Sequence, residues 1–235
     1  MNKKHIALVG ANGRMGKEIY PLLIASSKLK PTAAVIRTGT ISGFDKYVTD
    51  IGELKSQDVD AIIDFSGVES FDHILKSAVH LKRPLVSGVT GISDTQKGLL
   101  KKASQTIPIL WSANMSLGVA TLKKAIHALK GLEGFDFQIE ELHHNKKKDN
   151  PSGTALMLQN ELIEVVNKKV PEPVGIRGGG IFGVHKIYAM ADEELLVFEH
   201  TALNRSVFAK GAVKATEWIL EQPPGLYSMD DVLRG

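Results

Sequence analysis

The stretch His5-Ile6-Ala7-Leu8-Val9-Gly10-Ala11-Asn12-Gly13-Arg14-Met15-Gly16 decides how this chain is read. A short apolar run stops at glycine, and Arg14 to Ala25 then carries Met15, Ile19, Leu22 and Leu23 at helical spacing. That pattern describes a buried strand turning into a helix. Within the turn, Gly10 permits the tight bend, Gly13 lets a diphosphate approach the backbone, and Gly16 lets helix and strand pack closely. The helix start adds unpaired N–H groups and the positive end of a dipole. A glycine-rich strand–helix turn has the same composition in folds that bind no nucleotide, so the surrounding elements must give the motif its meaning.

Working outward, further apolar runs occur at Ala33-Ala34-Val35-Ile36, Ala61-Ile62-Ile63-Asp64-Phe65, Leu85-Val86 and Ile107-Pro108-Ile109-Leu110-Trp111. Amphipathic helices are expected between them, at Glu69 to Leu81 and at Asp94 to Ala103, the latter opened by Ser93 as N-cap. Strands that are apolar on both faces and alternate with helices imply a Rossmann-type, doubly wound parallel sheet of the α/β class. The pattern changes at Phe135-Asp136-Phe137-Gln138-Ile139-Glu140, which alternates with period two, as do parts of Val184–Met190 and Leu195–His200. A helix from about Ser152 to Val166 and a Pro/Gly loop from Pro171 to Gly180 separate these segments. We therefore expect a second α+β domain with an open mixed sheet over 115–204, and a dinucleotide-binding domain over 1–114 and 205–235. A closing helix is expected at Val207–Leu220.

Composition narrows the chemistry. The 235 residues carry 29 Lys+Arg and 26 Asp+Glu, a net charge of +3, with 43% hydrophobic residues and no cysteine. Such a chain buries a full core. The absence of cysteine removes disulfides, thiolate nucleophiles, iron–sulfur clusters and thioester routes. Basic residues are scattered apart from Lys146-Lys147-Lys148, which argues against nucleic acid. The start Met1-Asn2-Lys3-Lys4 is basic, but the apolar run after it stops at Gly10, so no export signal is read. No uncharged stretch reaches the ~18 residues of a membrane span. A cytoplasmic location and no membrane partner are expected.

Two further segments speak to ligands. A dinucleotide site for NADH usually has an acid at the end of the second strand, whereas here the strand ends Val35-Ile36-Arg37-Thr38. Arg37 suits a 2′-phosphate, so NADPH is the expected cofactor, with NADH possible. Alternatively, Arg37 only finishes a solvent-facing strand end. The string from Glu140 to Ala155, through His143-His144, Lys146-Lys147-Lys148 and Ser152-Gly153-Thr154, concentrates proton donors, positive charge and a helix start. It suits a small, multiply charged acid, although a lysine run is also ordinary solvated loop and a histidine pair is often structural. Glu140/His143 and Glu141/His144 have an i, i+3 spacing used for metals on helices. On a strand those positions face opposite ways, so no metal is expected.

Taken together, these motifs resemble the dihydrodipicolinate reductase family over essentially the full length. The matching pieces are Gly10 to Gly16, Asp64-Phe65-Ser66, Ser87-Gly88-Val89-Thr90-Gly91 and Ser112-Ala113-Asn114-Met115-Ser116-Leu117-Gly118. They continue with Glu141-Leu142-His143-His144, Lys147-x-Asp149-x-Pro151-Ser152-Gly153-Thr154-Ala155, Arg177-Gly178-Gly179, Gly183-x-His185 and His200-Thr201-Ala202. The resemblance implies a cofactor site of Gly10, Ala11, Asn12, Gly13, Arg14 and Met15 at the diphosphate, and Arg37 at the adenosine ribose. Gly88, Val89, Thr90, Ser112, Ala113, Asn114 and Met115 complete it toward the nicotinamide. It implies His143 as proton donor and acceptor, Lys147 as proton donor, and His144, Gly153 and Thr154 as ligands of a small dicarboxylate substrate. It also implies a homotetramer assembled through second-domain sheets. The sequence departs from the family at Ile36, where many members have an acid, at Val89, often threonine, and at Met115, often phenylalanine. Other readings are a non-catalytic dinucleotide-binding redox sensor and another dehydrogenase of a small amino or keto acid.

Overall fold

The computed structural model describes residues 2–39 and 41–234; Met1 of the basic start, Thr40 and Gly235 lie outside the described residues. The chain divides into two compact units, Met1–Met115 with Phe208–Gly235, and Ser116–Val207.

The first unit begins with β1 (Lys4–Val9), α1 (Arg14–Ala25), β2 (Leu29–Val35) and β3 (Lys46–Val48). It continues with β4 (Ala61–Asp64), α2 (Phe71–Leu81), β5 (Leu85–Ser87), α3 (Asp94–Ala103) and β6 (Pro108–Trp111). Its described residues form a seven-stranded sheet in the order β3-β2-β1-β4-β5-β6-β11, where β11 is Gly225–Tyr227, and every pairing is parallel. Buried on both faces, β1, β4 and β5 read as near-continuous apolar runs for that reason. The order reverses between β1 and β4, which places a crevice at their carboxyl ends, beside Gly10. Ser93 caps α3 in a capping box with Gln96. Leu75 and Ala78 of α2 and Leu100 of α3 are buried with Ala7, Ile62 and Leu85 of the sheet.

The second unit contains α4 (Leu117–Ile126), β7 (Asp136–His143), α5 (Gly153–Val166), β8 (Val174–Arg177), β9 (Val184–Met190) and β10 (Leu195–Thr201). Its sheet runs β10-β9-β7-β8, with β8 parallel to β7 and the other pairs antiparallel. One face packs Phe137, Ile139, Ile187 and Ala189 against Leu122 and Ile126 of α4 and Leu158 and Leu162 of α5. The other face leaves Val174, Ile176, Met190, Leu195 and Val197 exposed. The sequence thus describes an α/β unit with a parallel sheet and a second unit with an open mixed sheet, as expected. The chain then forms α6 (Ser206–Ile219), β11 and α7 (Met229–Val232).

Several elements differ from expectation. The Pro171–Gly180 segment is not all loop: β8 lies within it, because β7 offers a parallel edge that Val174–Arg177 joins. The strands β3 and β11, three residues each, are additions to the expected set and are too short to show a period in the sequence. Helix α4 is another addition, although Val119, Leu122 and Ile126 have helical spacing and Ser116 caps it.

Candidate functional site

In the first unit, the β1–α1 turn is shaped by two close approaches. Gly10 has φ +74°, and a Cβ there would lie 2.8 Å from the Phe65 carbonyl oxygen. A Cβ at Gly16 would lie 2.3 Å from the Ala11 carbonyl oxygen and 2.4 Å from that of Gly10. Helix α1 therefore starts hard against the turn. Gly13 caps it without a side chain and no acid stands in its first turn, so its N–H groups keep their affinity for an anion. The Asn12 side chain donates to the Thr38 carbonyl at 2.6 Å, tying the turn to the segment that follows β2.

A groove of about 430 Å³ runs along these residues, bordered by Gly10, Asn12 and Gly13 at one side and Arg37 and Thr38 at another. Exposed Arg37 is paired with Glu69 at 3.1 Å. The groove also meets Asp50 and His73, joined at 2.6 Å, which no motif in the sequence marks. Ala11 is fully buried, Met15 is half-buried and Arg14 is exposed at the helix start. These residues fit a dinucleotide: a glycine cradle no side chain could share, an open helix start, and a cation, Arg37, on the border of the same groove.

The remaining expected cofactor residues follow β5 and β6. Asp64 ends β4 and is fully buried; burial pushes its carboxyl up, opposed by the N–H of Ser66 and the hydroxyl of Ser87. Beyond Ser87, Gly88 lies under the Phe65 ring and Thr90 is exposed. Val89 points into the core, its carbonyl taking the Trp111 indole N–H at 2.9 Å. Ser112 donates to the Asn114 carbonyl at 2.6 Å, and Ala113 is exposed. Met115 is buried, its carbonyl against Gly211 of α6. Among these, the side chains of Val89 and Met115 are buried.

In the second unit, β7 alternates so that Glu141 and His143 share the buried face. The Glu141 carboxylate is 0% exposed, and both oxygens are filled. Oε1 accepts from Ser152 N–H at 2.9 Å and Arg177 Nη2 at 2.6 Å; Oε2 bonds His143 Nδ1 at 2.5 Å and accepts from Arg177 Nη1 at 3.0 Å. Burial works to raise its pKa, but Arg177, His143 and the Ser152 N–H together hold it below the usual carboxylate range. His143 is 8% exposed. Burial pushes its pKa down, Glu141 pulls the other way, and Lys147 and Arg177 add to the lowering. The ring of His185 stands edge-on at 5.2 Å, with its pKa driven to about 3 by burial and by the His143 charge.

The loop after β7 brings the other expected groups to the start of α5. Lys147 Nζ is held by Asp149 at 2.9 Å, and the Gly153 N–H points at the other Asp149 oxygen, 3.4 Å away. Ser152 caps α5 by accepting from Ala155 N–H. A Cβ at Gly153 would meet nothing within 4 Å, so the approach to this helix start is open. Thr154 is half-buried in the first turn. His144 donates its backbone N–H to the Ile181 carbonyl, while its Nδ1 is buried and has no hydrogen-bond partner. Lys146 and Lys148 are exposed.

The residues not singled out from the string itself are Glu141 as a partner of His143, and Arg177. The first was available from the i, i+2 rule for strands. Arg177 reaches the cluster only because β8 pairs with β7 in the register His143↔Arg177.

Comparison with known proteins follows the same division. The family model for the N-terminus of dihydrodipicolinate reductase matches residues 4–115, and that for its C-terminus matches residues 115–233. The 4-hydroxy-tetrahydrodipicolinate reductase of Bdellovibrio bacteriovorus is 52% identical over 235 residues, covering 100% of this chain and 98% of that protein. That of Sulfurimonas denitrificans is 37% identical, covering 97% and 98%. A dipicolinate-bound dihydrodipicolinate reductase from Paenisporosarcina sp. TG-14 aligns at a TM-score of 0.82 with 19% identity, over 97% of this chain and 98% of that one. An engineered D-amino acid dehydrogenase bound to NADP+ aligns at 0.63 with 11% identity, over 98% and 94%. At those identities the two structures establish the fold.

Proposed function

The chain belongs to the dihydrodipicolinate reductase family, and from that premise we propose residue roles for an NAD(P)H-dependent oxidoreductase that reduces 4-hydroxy-tetrahydrodipicolinate to tetrahydrodipicolinate. The reaction belongs to the diaminopimelate route of lysine biosynthesis. The bound nicotinamide supplies a hydride to a conjugated ring carbon of the substrate. What remains is proton chemistry: the ring hydroxyl leaves as water, and the enamine left by hydride addition takes a proton on carbon.

Those transfers fall to His143 and Lys147. The observation that carries this assignment is that one strand end delivers a buried imidazole, an ammonium group and an open helix start within a single loop. Neutral at pH 7, His143 can take a proton, while the Lys147 ammonium donates one. His144, Gly153 and Thr154 receive the substrate carboxylates: the helix N–H groups donate readily to an anion, and the unpartnered His144 Nδ1 offers a further contact.

For the cofactor, the first unit holds the diphosphate on the Gly10–Met15 turn and α1, with Gly88–Thr90 and Ser112–Met115 toward the nicotinamide. Arg37 faces the adenosine ribose, where it favours NADPH over NADH once it exchanges Glu69 for a 2′-phosphate. Residues 1–114 and 205–235 act as the dinucleotide domain and 115–204 as the substrate and assembly domain. The exposed apolar face of the second sheet supports a homotetramer. No described helix is long and apolar enough to cross a membrane, and a cytoplasmic enzyme fits that observation.

The test is loss of the near-ultraviolet absorbance of reduced nicotinamide when the cyclised condensation product of pyruvate and aspartate semialdehyde is added. Turnover is expected. His143→Ala and Lys147→Ala should each lower kcat by about 10²-fold or more, with cofactor affinity retained. Cofactor binding without turnover would instead favour a sensor, and turnover confined to amino or keto acids another dehydrogenase.

A further inference from the structure

The Glu141 carboxylate has no acceptor capacity left over. A carboxylate offers about four acceptor positions, and here Ser152 N–H, the two Arg177 Nη groups and His143 Nδ1 take them two to each oxygen. Every partner other than His143 is an obligate donor. Because Arg177 keeps the carboxylate ionised, the bond to His143 is made with the proton on Nδ1, and the lone pair of the neutral ring lies on Nε2. Nε2 is on the opposite side of the ring from Glu141, 3.0 Å from where a Gly183 Cβ would stand.

We propose that Glu141 is a positioning residue for proton transfer at His143: clamped by Arg177 and Ser152, it holds the ring in one orientation and in the tautomer whose Nε2 is free to take the proton. This rests on the reductase reading of His143. A purely structural Glu141–Arg177 pair would tie β7, β8 and the 149–152 loop together, and Arg177 Nη2 does also donate to the Asp149 carbonyl at 2.6 Å. That role requires nothing of the imidazole. Free histidine by contrast has no such partner to select Nδ1–H.

The experiment is 15N NMR of histidine-labelled protein at neutral pH, with the His143 signals identified by their loss in His143→Gln. The spectra need neither cofactor nor substrate, so they stand apart from the turnover assay. Wild type is expected to show a protonated Nδ1 and an unprotonated Nε2 at His143. In Glu141→Gln the amide turns a donor toward one of its partners, and Nε2–H should become the main form. That variant should also lose about 10²-fold in kcat with cofactor KM changed less than about twofold. The groups facing His143 are Glu141 on its own strand, Arg177 on β8, His185 on β9 and Lys147 in the following loop. Removing the only anion among them should move the acidic limb of the kcat profile to lower pH. A wild-type proton on Nε2 would overturn the proposal whether or not the variant folds. So would a folded Glu141→Gln that keeps both the wild-type tautomer and the wild-type pH profile.

Discussion

Gly16 and Gly98 sit inside helices in different surroundings, and exchanging each for alanine separates helix propensity from packing at the nucleotide turn. Gly98 lies on the exposed side of α3, and a Cβ there meets nothing within 4 Å. Alanine should stabilise the protein by about 0.5–1 kcal/mol, a rise of roughly 2–4 °C in Tm per kcal/mol for a chain of this size. Gly16 shares the same propensity gain, but its Cβ would be 2.3 Å from the Ala11 carbonyl oxygen. Raising that separation to 3.0 Å, the least that real Cβ atoms show, moves helix against turn by 0.7 Å. Overpacking against rigid backbone costs about 1–3 kcal/mol, enough to reverse the sign. The same displacement draws the N–H groups of α1 off the diphosphate, so the Kd for NADPH should rise at least about tenfold, or about 1.4 kcal/mol. Thermal melts with and without NADPH, and fluorescence titration of the cofactor, read both effects. A Gly16→Ala protein that melts as high as Gly98→Ala and binds NADPH as wild type does would refute the reasoning.

Three further outcomes are expected. Because the folded His185 has its pKa lowered to about 3, the unfolded chain binds a proton that the native state does not as pH falls below about 6.5. That part of the stability is complete above about pH 6.5 and shrinks progressively toward pH 3; urea midpoints at both ends of that range should show a shallower fall in His185→Leu. Arg37→Ala should raise KM for NADPH by about tenfold and leave NADH nearly unchanged, and equal kcat/KM for both cofactors in wild type would remove the assignment. Val197→Asp, on the exposed face of the second sheet, should shift the mass measured by light scattering to a smaller species, whereas an unchanged mass would place assembly elsewhere.

What could be read without coordinates followed from burial. The runs at β1, β4 and β5 are apolar because both their faces are covered, and Gly10, Gly13 and Gly16 follow β1 because the turn leaves no room for side chains. The His143–Thr154 string announced itself by density of chemistry. Other features depend on partners distant in sequence. β11 exists because β6 presents an edge, and β8, whose residues alternate between exposed and half-buried, carries little apolar signal. Asp50 and His73 border the nucleotide groove only after the sheet has formed. Glu141 is the instructive case. It is the i, i+2 neighbour that a strand brings to the same side as His143, whereas the i, i+3 pairs that stand out in the string suit a helix.

The route of the chain bears on how the protein is made. The backbone leaves the first unit after Met115 and returns at Phe208, with the whole of Ser116–Val207 in between. During synthesis the ribosome therefore releases the inserted unit entire, while the earlier one still lacks α6 and β11. Until they emerge, β6 is a border strand paired only with β5, and the surfaces that Ala209, Ala212 and Ala215 will cover stay wet. A nascent chain paused before residue 208 thus offers chaperones one sheet short of its last strand, while the sequence of the inserted unit is already complete.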